Sequence, residues 1–507
     1  MIEKNVFFSD SVNFHYAFMS ASVPSGHPHA ATFESGARAM DAALHTGDVS
    51  AYFANAADPL HAAFAAKVVI HSGPVGMPLM GEAAEKKLES LWDEPRSGKS
   101  LAYIHVPFCE TRCLYCMFYQ NPFKPEASHE FADRLIKELQ LWSDKKAQTT
   151  GLIHALYFGG GTPTCLAPAD LKRILSAVKT YLPLANDCEI TLEGRIHHFE
   201  DEKMEAALEG GVNRFSLGVQ TLNSKVRQNV QRVDGRDAIL KRLEKLCSYD
   251  NAAVVIDLIY GFPEQTMDVW EDDLLTAASL PLDGVDCYQL NVFEKSPLAK
   301  YISLGKLPAA ADTAMKADMF AKSVEILTAS QWKRLSNNHW RRTNRERNIY
   351  NELGKSACDC LAFGCGAGGR LAGYSFMMDR KLADWSAGID AGHKPVMVLS
   401  APRPLWHMLR TISSEMELGA INLKRLAAEF KQPVDTVAND VIEQWISAGL
   451  LTRCGDWLLQ TVAGQFWHVT LAQLLVDIIA KRLPDAQIKM PAGMPSMMGH
   501  PGHPHHG

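Results

Sequence analysis

The chain has 507 residues, of which 47% are hydrophobic and 21% charged, and its formal net charge is −6. This composition is typical of a globular protein with an ample core, and the acidic balance argues against a protein built around nucleic acid or an anionic membrane. The longest apolar stretches are too short to span a bilayer, and the first residues lack the basic and apolar regions of a signal peptide. We therefore expect a cytoplasmic protein of about three domains, whose cysteines are thiols or metal ligands.

Residues 1–98 are predicted to form a helical N-terminal extension. Apolar residues recur at helical spacing in residues 33–47 and 58–70. The polar stretch DEPRSGKS at residues 93–100 contains Pro and Gly and is predicted to be a linker.

Residues 99–395 alternate short apolar runs with amphipathic helices such as residues 168–182 and 235–248. Spacings of about 30 residues are typical of repeated βαβ units. Six such units predict an α/β fold with a parallel sheet, either doubly wound or an incomplete barrel, and both place the ligand site at the carboxyl ends of the strands. The predicted strands are residues 101–106, 154–158, 188–193, 213–219, 253–259 and 285–293.

Residues 396–480 are predicted to form a winged-helix-like C-terminal domain, with a helix–turn–helix followed by a hairpin. The helix that would recognise DNA carries Asp435, Asp440 and Glu443 but no Lys or Arg. Such a helix would repel phosphate, so we expect a structural or capping role and no nucleic-acid partner.

Residues 481–507 are rich in Pro, Gly, Met and His and are predicted to be a flexible tail. Imidazole and thioether groups ligate haem iron, so the tail is a candidate for haem capture or transfer; its GHPH sequence also occurs at residues 26–29. The alternative is a solvated tail with incidental metal affinity.

Three cysteines follow the first predicted strand within eight residues, in the segment PFCETRCLYC. They are Cys109, Cys113 and Cys116, a C-x₃-C-x₂-C run. Four protein thiolates would close a [4Fe–4S] cluster, whereas three leave one iron open. A structural zinc completed by a distant fourth ligand and buried structural cysteines are the alternatives.

The sequence around these cysteines, YIHVPFCETRCLYCMFY, resembles the radical S-adenosylmethionine (SAM) superfamily, and within it the group of the anaerobic coproporphyrinogen dehydrogenases and the radical SAM haem chaperones. The resemblance extends over residues 101–470 and implies a partial (β/α)₆ barrel. It also implies that the open iron binds the amino and carboxylate groups of SAM, and that one electron cleaves SAM to a 5′-deoxyadenosyl radical. The further motifs that carry it are YFGGGTPT (157–164), EITLEG (189–194), RFSLGVQTL (214–222), NVQRVDGR (229–236) and VIDLIYGFP (255–263).

The same resemblance implies roles for individual residues, and it places Tyr103 and Phe118 near SAM as catalytic candidates. Glycines allow close backbone approach, strand-end carboxylates accept from an ammonium or ribose hydroxyls, and a guanidinium grips a carboxylate. Taken singly, each of these residues is equally well explained as a turn glycine or a satisfied polar residue at a barrel end. The predicted cofactor-binding residues are Gly160, Gly161, Thr162, Glu193, Gln220, Arg232 and Asp257.

The chain departs from the coproporphyrinogen dehydrogenases at Phe118, where those enzymes carry a further cysteine, and this argues against decarboxylation. The front extension and the motifs TLEGRIHHF, YQLNVF and MPAGMPSMM are similar to the haem-utilisation radical SAM methyltransferases. That family opens haem anaerobically to a linear methylated tetrapyrrole, anaerobilin. The resemblance implies haem as the substrate, iron release, and an electron donor such as flavodoxin. A haem chaperone, an oxygen-independent coproporphyrinogen-type oxidase and a winged-helix regulator are the alternatives.

Residues 332–348 contain six Lys or Arg against one Glu and are a candidate for substrate contact. Arg341, Arg342 or Arg345 would pair with haem propionates and Trp340 would stack on the macrocycle. The alternative is a solvated basic helix face.

Two further groups of metal-ligating residue types occur outside these motifs. His197 and His198 follow the strand of Glu193 and are predicted either to face the same cavity or to lie in a surface loop. Cys358, Cys360 and Cys365 lie beside a glycine-rich turn and are expected to be packed thiols rather than a second cluster.

Overall fold

The computed structural model describes residues 49–65, 67, 72–74 and 76–486. Its β-structure consists of one large mixed sheet, a small three-stranded sheet and a short two-stranded ladder. The strands are β1 (Met77–Leu79), β2 (Ser100–Val106), β3 (Phe108–Cys109), β4 (Asn121–Pro122), β5 (Ile153–Gly160), β6 (Leu184–Gly194), β7 (Arg214–Gln220), β8 (Ala253–Tyr260), β9 (Gly284–Gln289), β10 (Lys333–Arg334), β11 (His339–Arg341), β12 (Asp359–Phe363), β13 (Gly368–Leu371), β14 (Tyr374–Met378), β15 (Val396–Ala401), β16 (Ala420–Ile421), β17 (Leu451–Cys454) and β18 (Trp457–Gln460).

Helices pack against this framework, and seven of the described helices connect successive parallel strands. They are α1 (Pro59–Ala62), α2 (Glu82–Trp92), α3 (Pro125–Leu141), α4 (Lys146–Thr149), α5 (Pro168–Tyr181), α6 (Asp201–Glu209), α7 (Ser224–Asn229), α8 (Arg236–Ser248), α9 (Met267–Ser279), α10 (Pro297–Ser303), α11 (Thr313–Ala329), α12 (Ile349–Lys355), α13 (Leu382–Asp390), α14 (Trp406–Leu418), α15 (Leu423–Phe430), α16 (Val434–Val437), α17 (Asn439–Ser447), α18 (Val462–Phe466) and α19 (His468–Arg482), with 3₁₀ turns at Val49–Tyr52, Pro163–Cys165 and Pro484–Ala486. None of the helices in these described ranges has the length and apolar character needed to cross a bilayer.

The centre of the large sheet is parallel, in the strand order β12-β2-β5-β6-β7-β8-β9. The six predicted strands correspond to β2 and β5–β9, so the expectation of an α/β fold with a largely parallel sheet is confirmed. The sixth ends at Gln289, four residues earlier than predicted. Because the strands run in one direction, their carboxyl ends meet at one edge, and this edge carries the cysteine loop that follows β2.

The connecting helices form because apolar side chains recur on one face. In α5 the residues Leu171, Ile174, Leu175 and Val178 are buried, and Pro168 starts the helix where no backbone hydrogen bond is lost. The predicted helices at residues 168–182 and 235–248 are confirmed as α5 and α8. The core lies between these buried faces and the sheet.

Antiparallel strands extend the sheet on both sides. Beyond β12 lie β13, β14, β15 and β1, and beyond β9 lie β11 and β10. The sheet therefore includes one strand from the range assigned to the N-terminal extension and one from the start of the range assigned to the C-terminal domain. The boundaries at residues 98 and 396 stay predictions.

The N-terminal and C-terminal segments contact each other. Trp445 donates its indole N–H to the Tyr52 carbonyl (2.8 Å), and the Gln444 side chain exchanges two hydrogen bonds with the Ala54 backbone. Of the predicted helical stretches, residues 33–47 lie outside the described residues, and residues 58–70 contribute only α1 to the described part. In the C-terminal segment, α15 to α17 precede the β17–β18 hairpin, and β16 completes a three-stranded antiparallel sheet.

Candidate functional site

The cysteine loop is fixed at both ends by backbone pairing. The strands β3 and β4 pair in parallel and bracket the loop, and Phe123 N donates to Cys109 O at 2.9 Å. Within the loop, Cys116 N donates to Cys113 O at 3.2 Å. Cys109 and Cys113 are buried and Cys116 is partly buried. The three predicted ligands thus lie together on one short loop at the carboxyl end of β2.

Each of the three sulfur atoms accepts a hydrogen bond. Thr162 Oγ1 donates to Cys109 Sγ at 3.3 Å, and the Phe118 backbone N–H donates to Cys116 Sγ at 3.3 Å. Cys113 Sγ accepts from Arg195 Nη2 at 3.1 Å and from Arg232 Nη1 at 3.7 Å. Donors around every sulfur favour thiolates, which are the form that ligates an iron–sulfur cluster.

The electrostatic environment differs among the three thiols. Burial raises the pKa of Cys109 and of Cys116. Burial acts on Cys113 as well, but the guanidinium groups of Arg232 and Arg195 outweigh it and lower the pKa of that thiol. Sequence reasoning had identified Arg232 and missed Arg195. The only available signal was its position directly after the EITLEG motif.

The glycine run at the end of β5 is required by contacts within the protein. Gly160 has a φ of +107°, and a Cβ at this position would lie 2.6 Å from the His105 ring. A Cβ on Gly161 would collide with the Phe108 carbonyl, and the Gly161 N–H donates to Val106 O at 2.8 Å. The glycines therefore let the end of β5 lie directly against the strand that carries Cys109. Their predicted contact with SAM stays a prediction.

Glu193 and Asp257 lie near each other on the inner face of the parallel sheet. The strand pairing places Glu193 beside Ser216, whose hydroxyl donates to Asp257 Oδ1 at 3.3 Å. Burial and the nearby Asp257 raise the pKa of Glu193 to about 8, and burial raises the pKa of Asp257 to about 6. Within the part of the chain that the structure describes, no ion pair holds either carboxylate. The two groups would accept a positively charged ligand.

Gln220 and Arg232 lie at the carboxyl end of β7. Gln220 adopts a φ of +73° beside a register shift in the β7–β8 pairing. Arg232 is buried, and its Nη2 donates to the Gly218 carbonyl. Among the described residues, Gln220 Oε1 and Arg232 Nε are buried without a hydrogen-bond partner. Unsatisfied buried polar atoms are costly, so both are candidates for contact with a ligand.

The two predicted catalytic residues occupy different surroundings. The Tyr103 hydroxyl hydrogen-bonds to His105 Nδ1 at 3.0 Å, and its ring stacks on Tyr157 with centroids 6.4 Å apart. A Cβ on Gly159 would lie 2.7 Å from Glu193 Oε2 and 3.0 Å from the Tyr103 ring, so the two side chains lie near each other. Burial and then the charge of Glu193 raise the pKa of Tyr103. Phe118 is 68% exposed beside Cys116. Their proximity to SAM stays a prediction.

The basic run does not form a helix face, because β10 and β11 occupy part of it. Trp340 is 4% exposed beneath the Arg334 guanidinium, so its ring is not available to stack on a macrocycle. Arg342 donates to Leu280 O at 2.8 Å and Arg345 to Asp250 at 2.6 Å. These partners precede β9 and β8, at the edge opposite the cysteine loop. Arg342 and Arg345 are exposed there, so the solvated character of the run agrees with the alternative, whereas the helix is wrong and the propionate contacts stay a prediction.

The remaining cysteine trio has protein partners. Cys358 Sγ donates to Leu353 O at 2.9 Å, Cys365 Sγ to Asp379 O at 3.5 Å, and Cys360 Sγ to Leu361 O at 3.7 Å. These contacts agree with packed thiols.

Comparisons with known proteins identify a family that matches the residues around the cysteine loop. The radical SAM superfamily matches residues 103–277. The chain is 39% identical to anaerobilin synthase from Escherichia coli O157:H7 over 80% of this chain and 91% of that protein. It is 25% identical to the haem chaperone HemW from Escherichia coli K12 over 74% of this chain and 97% of that protein. Among solved structures, the fold is similar to coproporphyrinogen III oxidase (HemN) from Escherichia coli, with a TM-score of 0.68 at 21% identity over 79% of this chain and 96% of that chain.

Proposed function

Because the chain belongs to the anaerobilin synthase family within the radical SAM superfamily, we propose that it degrades haem anaerobically by SAM-dependent radical methylation, opening the porphyrin ring to a linear tetrapyrrole and freeing the iron. The observation that carries the proposal is the identity to anaerobilin synthase along nearly the whole of that protein.

The cofactors of this superfamily are a [4Fe–4S] cluster and SAM. Cys109, Cys113 and Cys116 fit the cluster, because all three lie on one loop and each sulfur accepts a hydrogen bond from a neighbour. When bound, the two cofactors supply one electron, the adenosyl radical and the methyl group. The protein itself supplies binding, orientation and a protected site.

Thr162, Arg195 and Arg232 hold the sulfurs in place. The two guanidinium groups lower the pKa of Cys113 and so favour the thiolate form that ligates iron. Burial raises the pKa of the other two thiols, so cluster assembly must release their protons.

Glu193 and Asp257 hold SAM by accepting hydrogen bonds from its ammonium group or its ribose hydroxyls. Their raised pKa values reflect two acids packed together away from water, and a bound ammonium would restore the charged form. Gln220 and Arg232 contribute their unpartnered atoms, and Gly160 and Gly161 give backbone access at the end of β5. Tyr103 bounds the same space from β2, and Phe118 bounds it from the cysteine loop.

The six strands β2 and β5–β9 form the partial (β/α)₆ barrel of this proposal, open to haem at the carboxyl edge. The opposite end is closed by residues 346–350, where Arg214 pairs with Glu346 and Glu189 accepts from the N–H groups of Ile349 and Tyr350 at 3.0 Å each. A closed inner end keeps water and oxygen away from a radical reaction.

The C-terminal segment is proposed to be a winged-helix-like cap. The helix α17 directs its acidic side chains to partners in the same segment, with Asp440 paired to Arg482 at 2.6 Å and Glu443 paired to Arg453. An acidic helix with internal partners supports a structural role over DNA recognition.

The test is anaerobic incubation of the cluster-loaded protein with haem, methyl-labelled SAM and reduced flavodoxin, followed by mass spectrometry. A linear tetrapyrrole that carries the label, together with 5′-deoxyadenosine and loss of the haem absorption band, is the expected result. Intact haem passed to an apo-acceptor would favour a chaperone, and decarboxylation of coproporphyrinogen would favour the oxidase.

A further inference from the structure

A second group of ligating side chains lies beside the cysteine loop. Glu110, His197 and His198 each offer one ligating atom, and the three atoms lie within 4.8 Å of one another. His198 Nδ1 is 2.9 Å from Glu110 Oε2, and His197 Nε2 is 3.9 Å from the same oxygen. Two imidazoles and one carboxylate therefore lie close enough together to share one metal ion.

The dimensions suit a first-row transition metal. A metal bound at 2.0–2.2 Å by three ligands in tetrahedral geometry separates those ligands by about 3.4 Å, which lies between the two measured distances. A three-ligand set leaves coordination positions open for water or an incoming group. The combination of two His and one carboxylate holds non-haem ferrous iron in some proteins and zinc in others.

Asp234 completes the arrangement from a different element. Its carboxylate is 3.1 Å from His197 Nδ1, on the side of the ring opposite the Nε2 atom that faces Glu110. A carboxylate on the far nitrogen of a ligating His fixes the tautomer and the ring orientation. With Nδ1 held by Asp234, the Nε2 atom of His197 is left on the side of the ring that faces Glu110.

The backbone holds His198 in an uncommon conformation. His198 has a φ of +53°, and its ring stacks on the His197 ring with centroids 3.8 Å apart. A non-glycine residue in the left-handed region costs free energy, so the turn that presents both imidazoles on one side is held by its surroundings.

The group also adjoins the proposed reaction site. His197 and Asp234 line a small pocket together with Thr111, Arg195 and Arg232. Arg195 bridges Thr111 Oγ1 (2.7 Å) and Cys113 Sγ (3.1 Å), so this pocket and the cysteine loop share a wall.

We propose that Glu110, His197 and His198, oriented by Asp234, form a divalent-metal site that receives the ferrous iron freed when haem is opened. The metal affinity stands on the geometry, whereas the source of the iron rests on the proposed function. A metal site beside the reaction site would bind the ferrous iron before it diffuses into solution.

The binding test uses Co²⁺ as the probe on the full cluster-loaded chain without haem. We expect an anomalous-scattering peak between the three side chains, and a Co²⁺ absorption component that is lost in His198→Asn and His197→Gln. Asp234→Asn should lower the Co²⁺ affinity of the site roughly 10- to 100-fold, as for other carboxylates that hydrogen-bond to ligating histidines. His393→Asn, an exposed histidine elsewhere on the surface, is the matched control and should change nothing.

The wild-type and variant chains carry the same His-rich tail, which also offers imidazole ligands for Co²⁺. Binding at the proposed site is therefore measured as the difference in Co²⁺ binding between wild type and variant. Equal Co²⁺ binding in wild type and His198→Asn, with no peak between the side chains, would overturn the proposal.

After turnover with ⁵⁷Fe-haem, wild type should retain one high-spin ferrous ion on gel filtration and His198→Asn should not. Co²⁺ binding without any haem opening would contradict the proposed function and leave the metal site standing. Haem opening without retained iron would overturn the iron assignment.

Discussion

Arg214 and Glu346 form a buried two-point ion pair at the amino-terminal end of β7. Arg214 Nε donates to Glu346 Oε2 at 2.9 Å, Nη2 donates to Oε1 at 3.1 Å, and each side chain is 2% exposed. The pair ties β7 to the loop that leads into α12. It therefore anchors residues 346–350 at the edge of the sheet opposite the cysteine loop.

Removing one partner of this pair should destabilise the fold strongly. Glu346→Gln leaves the Arg214 guanidinium buried without its counter-charge, and the expected loss in the free energy of unfolding is about 3–5 kcal/mol. Chemical denaturation of the cluster-free protein measures the loss. Asp272→Asn, which breaks the exposed Arg236–Asp272 pair, is the control and should cost less than about 1 kcal/mol. Equal losses in the two variants would contradict the prediction.

Replacing any one of Cys109, Cys113 and Cys116 with Ala should remove most of the cluster iron, because two thiolates hold the cluster poorly. Iron and sulfide analysis after anaerobic reconstitution measures the content. Cys365→Ala is the control, since this buried thiol donates to a backbone carbonyl and should leave the iron content unchanged. Full iron content after the triple replacement would refute the assignment.

Glu193→Ala and Asp257→Ala should leave the cluster in place and weaken SAM binding. A hydrogen bond to a charged group contributes on the order of 1.5–3 kcal/mol, so the affinity should fall roughly 10- to 100-fold. Equilibrium titration of SAM on the reconstituted variants measures it, with iron content as the internal control. An unchanged dissociation constant would remove the residue from the SAM site.

The stability of the SAM-free protein should depend on the protonation of Glu193. Burial and Asp257 raise the pKa of this carboxyl from 4.5 to about 8, so the folded state holds its proton more tightly than the unfolded state does. Its contribution to stability is present below the unfolded pKa and is lost as the pH rises through about 8. The unfolding temperature should therefore decline as the pH rises from 4.5 to about 8, and the decline should be less steep in Glu193→Gln. A decline of equal slope in both proteins would exclude Glu193 as its origin.

The sequence predicted the parallel strands well because both faces of each strand are covered. The strand β2 is buried along nearly all of its length, so it appears in the sequence as a continuous apolar run. The sixth predicted strand was too long, since residues 290–293 continue the apolar pattern while the pairing of β9 stops at Gln289.

The edge strands and the long-range contacts were not predictable in this way. The strand β1 has three residues and a mostly exposed pattern, and it is a strand only because β15 pairs with it. Arg195 carries no periodic signal, and its role depends on Cys113, 82 positions earlier in the chain. The basic run was wrongly predicted as a helix because its charges carry no strand signal, whereas β11 forms there by pairing with β9, and β10 by pairing with β11. The exposed Arg342 and Arg345 bind carbonyl and carboxylate groups of the protein.

The Met/His-rich tail should assist haem capture rather than folding. Ala486 is fully buried and its carbonyl accepts from Arg403 at 3.0 Å, so a truncation that keeps the described fold intact belongs after this residue. The unfolding temperature of the truncated chain should equal that of the full chain. Its KM for haem should rise while kcat is unchanged, because the tail offers ligands for haem iron without taking part in the radical reaction. Steady-state turnover with SAM in excess measures both constants, and a KM equal to that of the full chain would contradict the role. The residues removed include Met494, Met497, Met498, His500, His503, His505 and His506.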